Sequence, residues 1–212
     1  MVGHFRGCRH EGDGGVLNVP NLVTAGRTVG SLVCAAVAIL DGSELWLAVA
    51  LAVYWTGDIA DGALARRLNQ ETTLGAVFDI VCDRACGACF FLGWAALHPE
   101  TALVVVLFLA EFMVVDFLLS FSFYLFPINS PNYFGAVDRR VFLLNWSKVA
   151  KSLNSGLIAV LLLTDVALWV PAGIATVLIA VKSYSLLRTS RLPRRRDADC
   201  VVTGGLFAVA AP

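Results

Sequence analysis

The sequence predicts an all-α, polytopic membrane protein with six transmembrane helices and both termini on the cytoplasmic side. Three observations predict it. Hydrophobic residues make up 58% of the 212 residues and charged residues 15%, against roughly 45–50% and about 25% in soluble domains, and the mean hydropathy is +0.76. Six apolar stretches follow one another, most of them near the ~20 residues that cross a bilayer as helix. All 16 basic residues fall on one side of a six-helix arrangement, and basic loops stay cytoplasmic.

Residues 1–20 form a polar, Gly-rich opening, cytoplasmic or lying on the membrane surface, with no short apolar core before a small-residue cleavage site. The six-helix membrane domain is expected over 21–190. Its first helix is predicted at Leu22–Leu40 and its second at Leu45–Ala65, joined by a link without Lys or Arg. Arg66 and Arg67 then mark a basic connection into the third helix, Leu74–Leu97. The link at 98–100 is again free of Lys and Arg, and the fourth helix is expected at Thr101–Phe126. The connection 127–147 carries Arg139 and Arg140, with Lys148 and Lys151 just beyond it. A shorter fifth helix, Val149–Thr164, and a sixth, Ala167–Leu187, complete the set. The last segment, 191–212, reads as a basic cytoplasmic tail whose arginines touch anionic lipid.

Net charge is zero, so whole-molecule charge points to no polyanionic partner, and nucleic acid is not expected as one. The six cysteines show no small-secreted-domain spacing. Three of them, Cys82, Cys86 and Cys89, have the spacing of an iron–sulfur motif, but they are threaded through a hydrophobic helix, where cysteine is a comfortable small residue.

Ionisable residues at membrane depth are costly, so each one points to function. Asp58 and Asp61 are spaced i, i+3 on the second helix, and Asp79 and Asp83 are spaced i, i+4 on the third. Each pair therefore projects from one face of its helix. A short connection makes the two helices antiparallel neighbours whose acidic faces can meet. Four converging carboxylates repel unless they bind protons or cations, and all-oxygen ligation suits Mg²⁺, Mn²⁺ or Ca²⁺ better than zinc. Gly57, Gly62, Ala63, Ala65, Gly75 and Ala76 permit close backbone approach and leave room for a bulky polar ligand. Arg66 and Arg67 offer guanidinium forks to a pyrophosphate at the cytoplasmic rim. Bland alternatives are a solvated helix cap and a cation or proton pathway, though the acids cluster at one membrane face and form no chain across it. Glu111 and Asp116, within the fourth helix, either pair with basic residues of neighbouring helices or face a polar pocket.

The stretch Asp58-Ile-Ala-Asp61-Gly62-Ala-Leu-Ala65-Arg66, eight residues, then Gly75-Ala-Val-Phe-Asp79-Ile-Val-Cys-Asp83 resembles the signature of the CDP-alcohol phosphotransferases (CDP-alcohol phosphatidyltransferases). Eight signature residues over 26 positions keep every spacing. The resemblance implies a six-helix enzyme that moves a phosphatidyl group from CDP-diacylglycerol to an alcohol and releases CMP. It implies Mg²⁺ or Mn²⁺ held by Asp58, Asp61, Asp79 and Asp83, with Asp83 also the general base. Gly62, Ala65, Arg66 and Gly75 would wall the CDP pocket, and a homodimer in a bacterial plasma membrane, with its active site facing the cytoplasm, is expected.

The acceptor alcohol is read from weaker likenesses. Arg139, Arg140, Lys148 and Lys151 offer charge for an acceptor phosphate, or serve only as positive-inside anchors. Asn18-Val-Pro-Asn21-Leu-Val-Thr24-Ala-Gly-Arg27 and Trp146-Ser147-Lys148 are similar to phosphatidylglycerophosphate and cardiolipin synthases. Leu68-Asn69-Gln70 and Asp83-Arg84 are similar to phosphatidylinositol synthases. The balance favours a glycerol-type acceptor, glycerol 3-phosphate or phosphatidylglycerol, with phosphatidylinositol or phosphatidylinositol-phosphate synthesis as the alternative. A membrane cation-binding or transport protein is the reading outside enzymology.

Overall fold

The computed structural model of the chain describes residues 7–9, 15–164 and 166–193. Of the expected flanking segments, the remainder of 1–20 and of 191–212 lies outside the described residues. Among the described residues the fold is helical throughout; an isolated bridge joins Cys8 to Ile128.

Helix α1 (Val19–Asp41) starts where Asn18 accepts a hydrogen bond from the Asn21 amide and Pro20 supplies a preset first turn. It stops at Gly42, whose φ of 62° suits a residue without a Cβ. Helix α2 (Glu44–Arg67) follows almost at once. Helix α3 (Thr73–Leu97) is capped by the Thr72 hydroxyl, which accepts from the Gly75 amide at 2.9 Å. Helix α4 (Pro99–Leu125) is a helical run interrupted by a π-turn at Glu111–Val115. Helix α5 (Arg139–Asn145) is short and capped by Asp138, and a helical run at 148–162 contains a second π-turn, Ser152–Gly156. Helix α6 (Trp169–Ser190) ends the described fold.

Helices α1 to α4 and α6 are long and apolar enough to cross a membrane. The expected fifth span is shorter: residues 148–162 rise about 22 Å at 1.5 Å per residue, because its start is polar (Lys148, Lys151, Ser152, Asn154) and the π-turn interrupts it. It still carries the chain from one end of the bundle to the other. Trp146 packs with Phe123, Phe126 and Phe134 at one end, whereas Ile158 and Leu162 join Trp94, Val104 and Ala175 at the other. Helices α4 and α6 are consequently parallel.

The burial pattern on α1 is inverted relative to a soluble bundle, although the rest of the interior is mostly apolar. On α1 the buried face carries Asn21, Thr24, Arg27, Thr28 and Ser31, and Leu22, Val29 and Val33 point outward. Lipid can solvate leucine, but polar groups at membrane depth need partners inside the protein. Small residues let the helices approach: the Ser31 hydroxyl donates to the Ala50 carbonyl of α2 at 2.9 Å.

Candidate active site

The four aspartates predicted to converge do so, and they converge on a cation that sequence reasoning did not select. Arg27 of α1 enters the gap between α2 and α3 with its side chain 2% exposed. Its Nε donates to Asp61 Oδ2 at 2.7 Å, and its Nη2 donates to Asp79 Oδ1 at 2.5 Å and Asp83 Oδ1 at 2.9 Å. The same nitrogen stands 3.7 Å from Asp58 Oδ1. The Thr24 hydroxyl, one turn earlier on α1, donates to Asp61 Oδ2 at 2.7 Å. Asp61 is thereby the buried, fixed member, while Asp58 and Asp79 keep more than a third of their side chains exposed.

Gly57 explains how an arginine fits there. A Cβ at residue 57 would lie 2.5 Å from both Cβ and Cδ of Arg27. The aliphatic stem of Arg27 crosses α2 over that glycine. The signal that could have found Arg27 is the polar stripe Asn21, Thr24, Arg27 at three-residue spacing on an otherwise apolar helix. Its charge also fits the one-sided distribution of basic residues, which gives it a second, bland explanation.

Asp58, Asp61 and Asp79 each present an oxygen within 4.8 Å of the others. Three carboxylates with no sulfur or imidazole among them form a hard donor set, and this fits Mg²⁺ or Mn²⁺. Asp83 lies on the same side, one turn along α3 from Asp79, and shares Arg27 Nη2 with it.

A cleft opens from these acids. Asp61, Asp79 and all four residues expected to wall the nucleotide pocket, Gly62, Ala65, Arg66 and Gly75, line it. A Cβ on Gly75 would lie 2.8 Å from Thr72 Oγ1 and 3.0 Å from Asn21 Oδ1, so the glycine keeps the wall flat. Arg66 folds back along its own helix, and a Cβ on Gly62 would meet its guanidinium at 3.3 Å. The far wall, which sequence reasoning missed, is Asn129, Ser130 and Asn132 from the connection after α4. Tyr133 ties that connection to the α2–α3 link by donating to Glu71 at 2.8 Å.

The basic residues expected at an acceptor site divide. Arg139 and Arg140 are exposed on the first turn of α5 and Lys148 is exposed at the start of the following run; the structure brings none of the three into the cleft. Lys151 connects to it, since its ammonium donates to Asn132 Oδ1 at 2.7 Å. Of the two acids of the fourth helix, Asp116 is paired with basic residues of neighbouring helices, whereas Glu111 is buried with its Oε1 lacking a hydrogen-bond partner. Asp116 accepts from Arg84 and from Lys182, both at 2.5 Å. Cys82, Cys86 and Cys89 are free thiols along α3.

The sequence profile of the CDP-alcohol phosphatidyltransferases matches residues 17–185. The chain belongs to the CDP-alcohol phosphatidyltransferase family. Among its relatives is a protein of Mycolicibacterium smegmatis named phosphatidylinositol phosphate synthase, 33% identical over 90 residues, which are 41% of this chain and 40% of the relative. A protein of the same name from Mycobacteroides abscessus is 37% identical over 90 residues, 41% of each chain. The CDP-diacylglycerol–inositol 3-phosphatidyltransferase 1 of Arabidopsis thaliana is 37% identical over 76 residues, 36% of this chain and 33% of the relative. The chain thus spans about two-fifths or less of the length of these relatives. No solved structure matches it.

Proposed function

We propose that this protein transfers the phosphatidyl group of CDP-diacylglycerol to an inositol-type alcohol, inositol or an inositol phosphate, and releases CMP. The observation that carries the proposal is one continuous cleft joining Asp61 and Asp79 to Gly62, Ala65, Arg66 and Gly75, with Asp58 and Asp83 at its acidic end. Family membership sets the reaction class. The names of the relatives turn the acceptor away from the glycerol type that the first-helix motif favoured.

In this reading Asp58, Asp61, Asp79 and Asp83 hold Mg²⁺ or Mn²⁺, which when bound neutralises the donor pyrophosphate and stabilises the attacking and leaving oxygens. Gly62, Ala65 and Gly75 give the nucleotide a flat wall, and Arg66 meets its phosphates with a guanidinium fork. Asp83 takes the proton of the acceptor hydroxyl. The hydroxyl oxygen then bonds to the phosphorus that carries diacylglycerol, the bond from that phosphorus to the CMP oxygen breaks, and CMP leaves. The rest of catalysis is positioning and charge neutralisation. Lys151, held by Asn132 at the cleft wall, is the basic residue best placed to receive an acceptor phosphate. The five apolar spans, with the shorter run at 148–162 taken as a sixth pass, and the one-sided basic residues support both termini and the cleft facing the cytoplasm.

The test is CMP release from labelled CDP-diacylglycerol by purified protein with Mg²⁺ or Mn²⁺. Parallel reactions hold inositol, inositol phosphate, glycerol 3-phosphate, phosphatidylglycerol or serine. Release is expected with an inositol compound, and Asp83→Asn should lower it by about 10²–10⁴-fold, the usual contribution of a general base. Product with glycerol 3-phosphate alone would restore the glycerol-type acceptor. No product with any acceptor, from folded protein over a range of metal concentrations, would make a cation-binding protein the better reading.

A further inference from the structure

Arg27 has more contacts with the acidic cluster than a structural counter-ion needs. Its Nη2 alone is shared by Asp79 and Asp83 and approaches Asp58, and its Nε is committed to Asp61. These are the carboxylates that make up the candidate metal centre. The guanidinium also has Tyr54 close by, with the arginine Cζ 5.5 Å from the ring centroid, and its Nη1 is buried with no hydrogen-bond partner. A guanidinium saturated on its carboxylate side and unsatisfied on the other is held in place by charge. The stem adds to this, because it passes over Gly57 where no Cβ could stand.

We propose that Arg27 is a built-in competitor for the divalent cation of this site. It gathers the four carboxylates and occupies their oxygens with a fixed single charge. A divalent cation must share these carboxylates with Arg27 Nη2 and, at Asp61, with Arg27 Nε, while enduring the repulsion of the same guanidinium. Arg27 therefore sets the cation affinity below that of four carboxylates on their own, so that the cation is held weakly by the protein and more firmly once an anionic pyrophosphate adds its oxygens. Gly57 acts through Arg27, as the residue that lets the stem reach the cluster. The proposal rests on the metal-site reading above and adds the identity of the residue that tunes it.

The experiment measures Mn²⁺ binding directly, by electron paramagnetic resonance of free Mn²⁺ over the detergent-purified protein, together with melting temperature in Mn²⁺ and in chelator. Wild type, Arg27→Gln, Arg27→Lys, Gly57→Ala and Asp61→Asn are compared. Removing a unit positive charge a few ångströms from the cation should tighten Mn²⁺ binding by about tenfold or more in Arg27→Gln. In that variant the melting temperature should fall in chelator and recover in Mn²⁺, widening the gap between the two conditions. Arg27→Lys should lie between wild type and Arg27→Gln. Folded Arg27→Gln with unchanged or weaker affinity overturns the proposal. Should Arg27→Gln not fold even in Mn²⁺, Gly57→Ala decides: its added methyl displaces the stem and should tighten binding, and unchanged or weaker binding overturns the proposal. If wild type binds Mn²⁺ and Asp61→Asn does not, the metal site stands whatever Arg27 does. If wild type binds none, the metal-site reading fails and this inference with it.

Discussion

At the scale of single residues, Gly75 separates binding from stability. It is the third residue of α3, and its amide donates to the Thr72 cap. An added Cβ would press on the Thr72 hydroxyl and on the Asn21 amide group, both of which line the cleft. Replacing a helical glycine by alanine gains about 0.5–1 kcal/mol in backbone terms, and disturbing a cap costs about 0.5–2 kcal/mol. The two nearly offset each other. Gly75→Ala should therefore change the melting temperature by only a few degrees while raising KM for CDP-diacylglycerol several-fold. A larger Gly75→Leu should raise KM by more than tenfold, since the side chain has nowhere to go except the nucleotide wall. Kinetics at varied donor concentration, set beside thermal melts, checks both; an unchanged KM in Gly75→Leu would remove Gly75 from the pocket. The sequence made these residues legible because an aspartate or a glycine at membrane depth has few bland explanations. Arg27 was illegible because a basic residue near the cytoplasmic end of a span has a bland explanation ready, the positive-inside rule, and only the three-dimensional meeting of α1 with α2 and α3 shows otherwise.

At the scale of elements, helical periodicity was enough to place each aspartate pair on one face, and the short link between α2 and α3 was enough to oppose the pairs. What periodicity could not show is where the helical register changes. The π-turn at Glu111–Val115 closes a backbone hydrogen bond from the Asp116 amide to the Glu111 carbonyl, five residues apart where an α-helix uses four. That extra residue turns Asp116 toward Arg84 and Lys182. No residue pattern signals such a turn in an apolar run. The short helix α5 lies where the sequence predicts only the connection 127–147, and it is held from outside. Asp138 accepts from the amides of Arg140 and Val141 at 2.9 and 3.0 Å and from Arg188 at 2.8 Å. Burial pushes its carboxyl up, but Arg188 and those amides outweigh burial and hold it below the usual carboxylate range. Its charged form is thus the folded form's preference. The stability it contributes is present above the unfolded value of about 3.9 and is lost only as pH falls through the lower folded value. Asp138→Ala should cost about 1–2 kcal/mol through the lost cap. Asp138→Asn, which keeps a capping oxygen, should cost less. Both differences should hold constant from pH 8 to pH 5 in thermal melts and shrink only in stronger acid; a difference that vanished by pH 6 would mean the carboxyl is not held low.

At the scale of the whole molecule, composition and the distribution of basic residues made the bundle legible, while the pairing that locks its two halves was not. That lock is Asp116 between Arg84 of α3 and Lys182 of α6, with Arg84 also donating to Ser120 at 3.1 Å and lying 4.0 Å from the centroid of the Phe112 ring. Arg84 and Lys182 are both nearly fully buried. One carboxylate serves two cations here, the reverse of the cleft, where one guanidinium serves four carboxylates. The two arrangements predict opposite responses to the same conservative change. Asp116→Asn leaves two buried cations without their shared anion, and removing one partner of a buried pair costs about 3–5 kcal/mol. For a chain of this size each kcal/mol is worth about 2–4 °C, so the melting temperature should fall by roughly 6–20 °C. Asp83→Asn removes one of four mutually repelling carboxylates and leaves Arg27 bonded to Asp61 and Asp79. In chelator its melting temperature should stay level or rise, even though transfer is lost. Melting the two variants side by side in the same detergent distinguishes a group held for its chemistry from one held for the fold. A fall as large in Asp83→Asn as in Asp116→Asn would show that both acids are structural, and the assignment of Asp83 as base would then have to be given up.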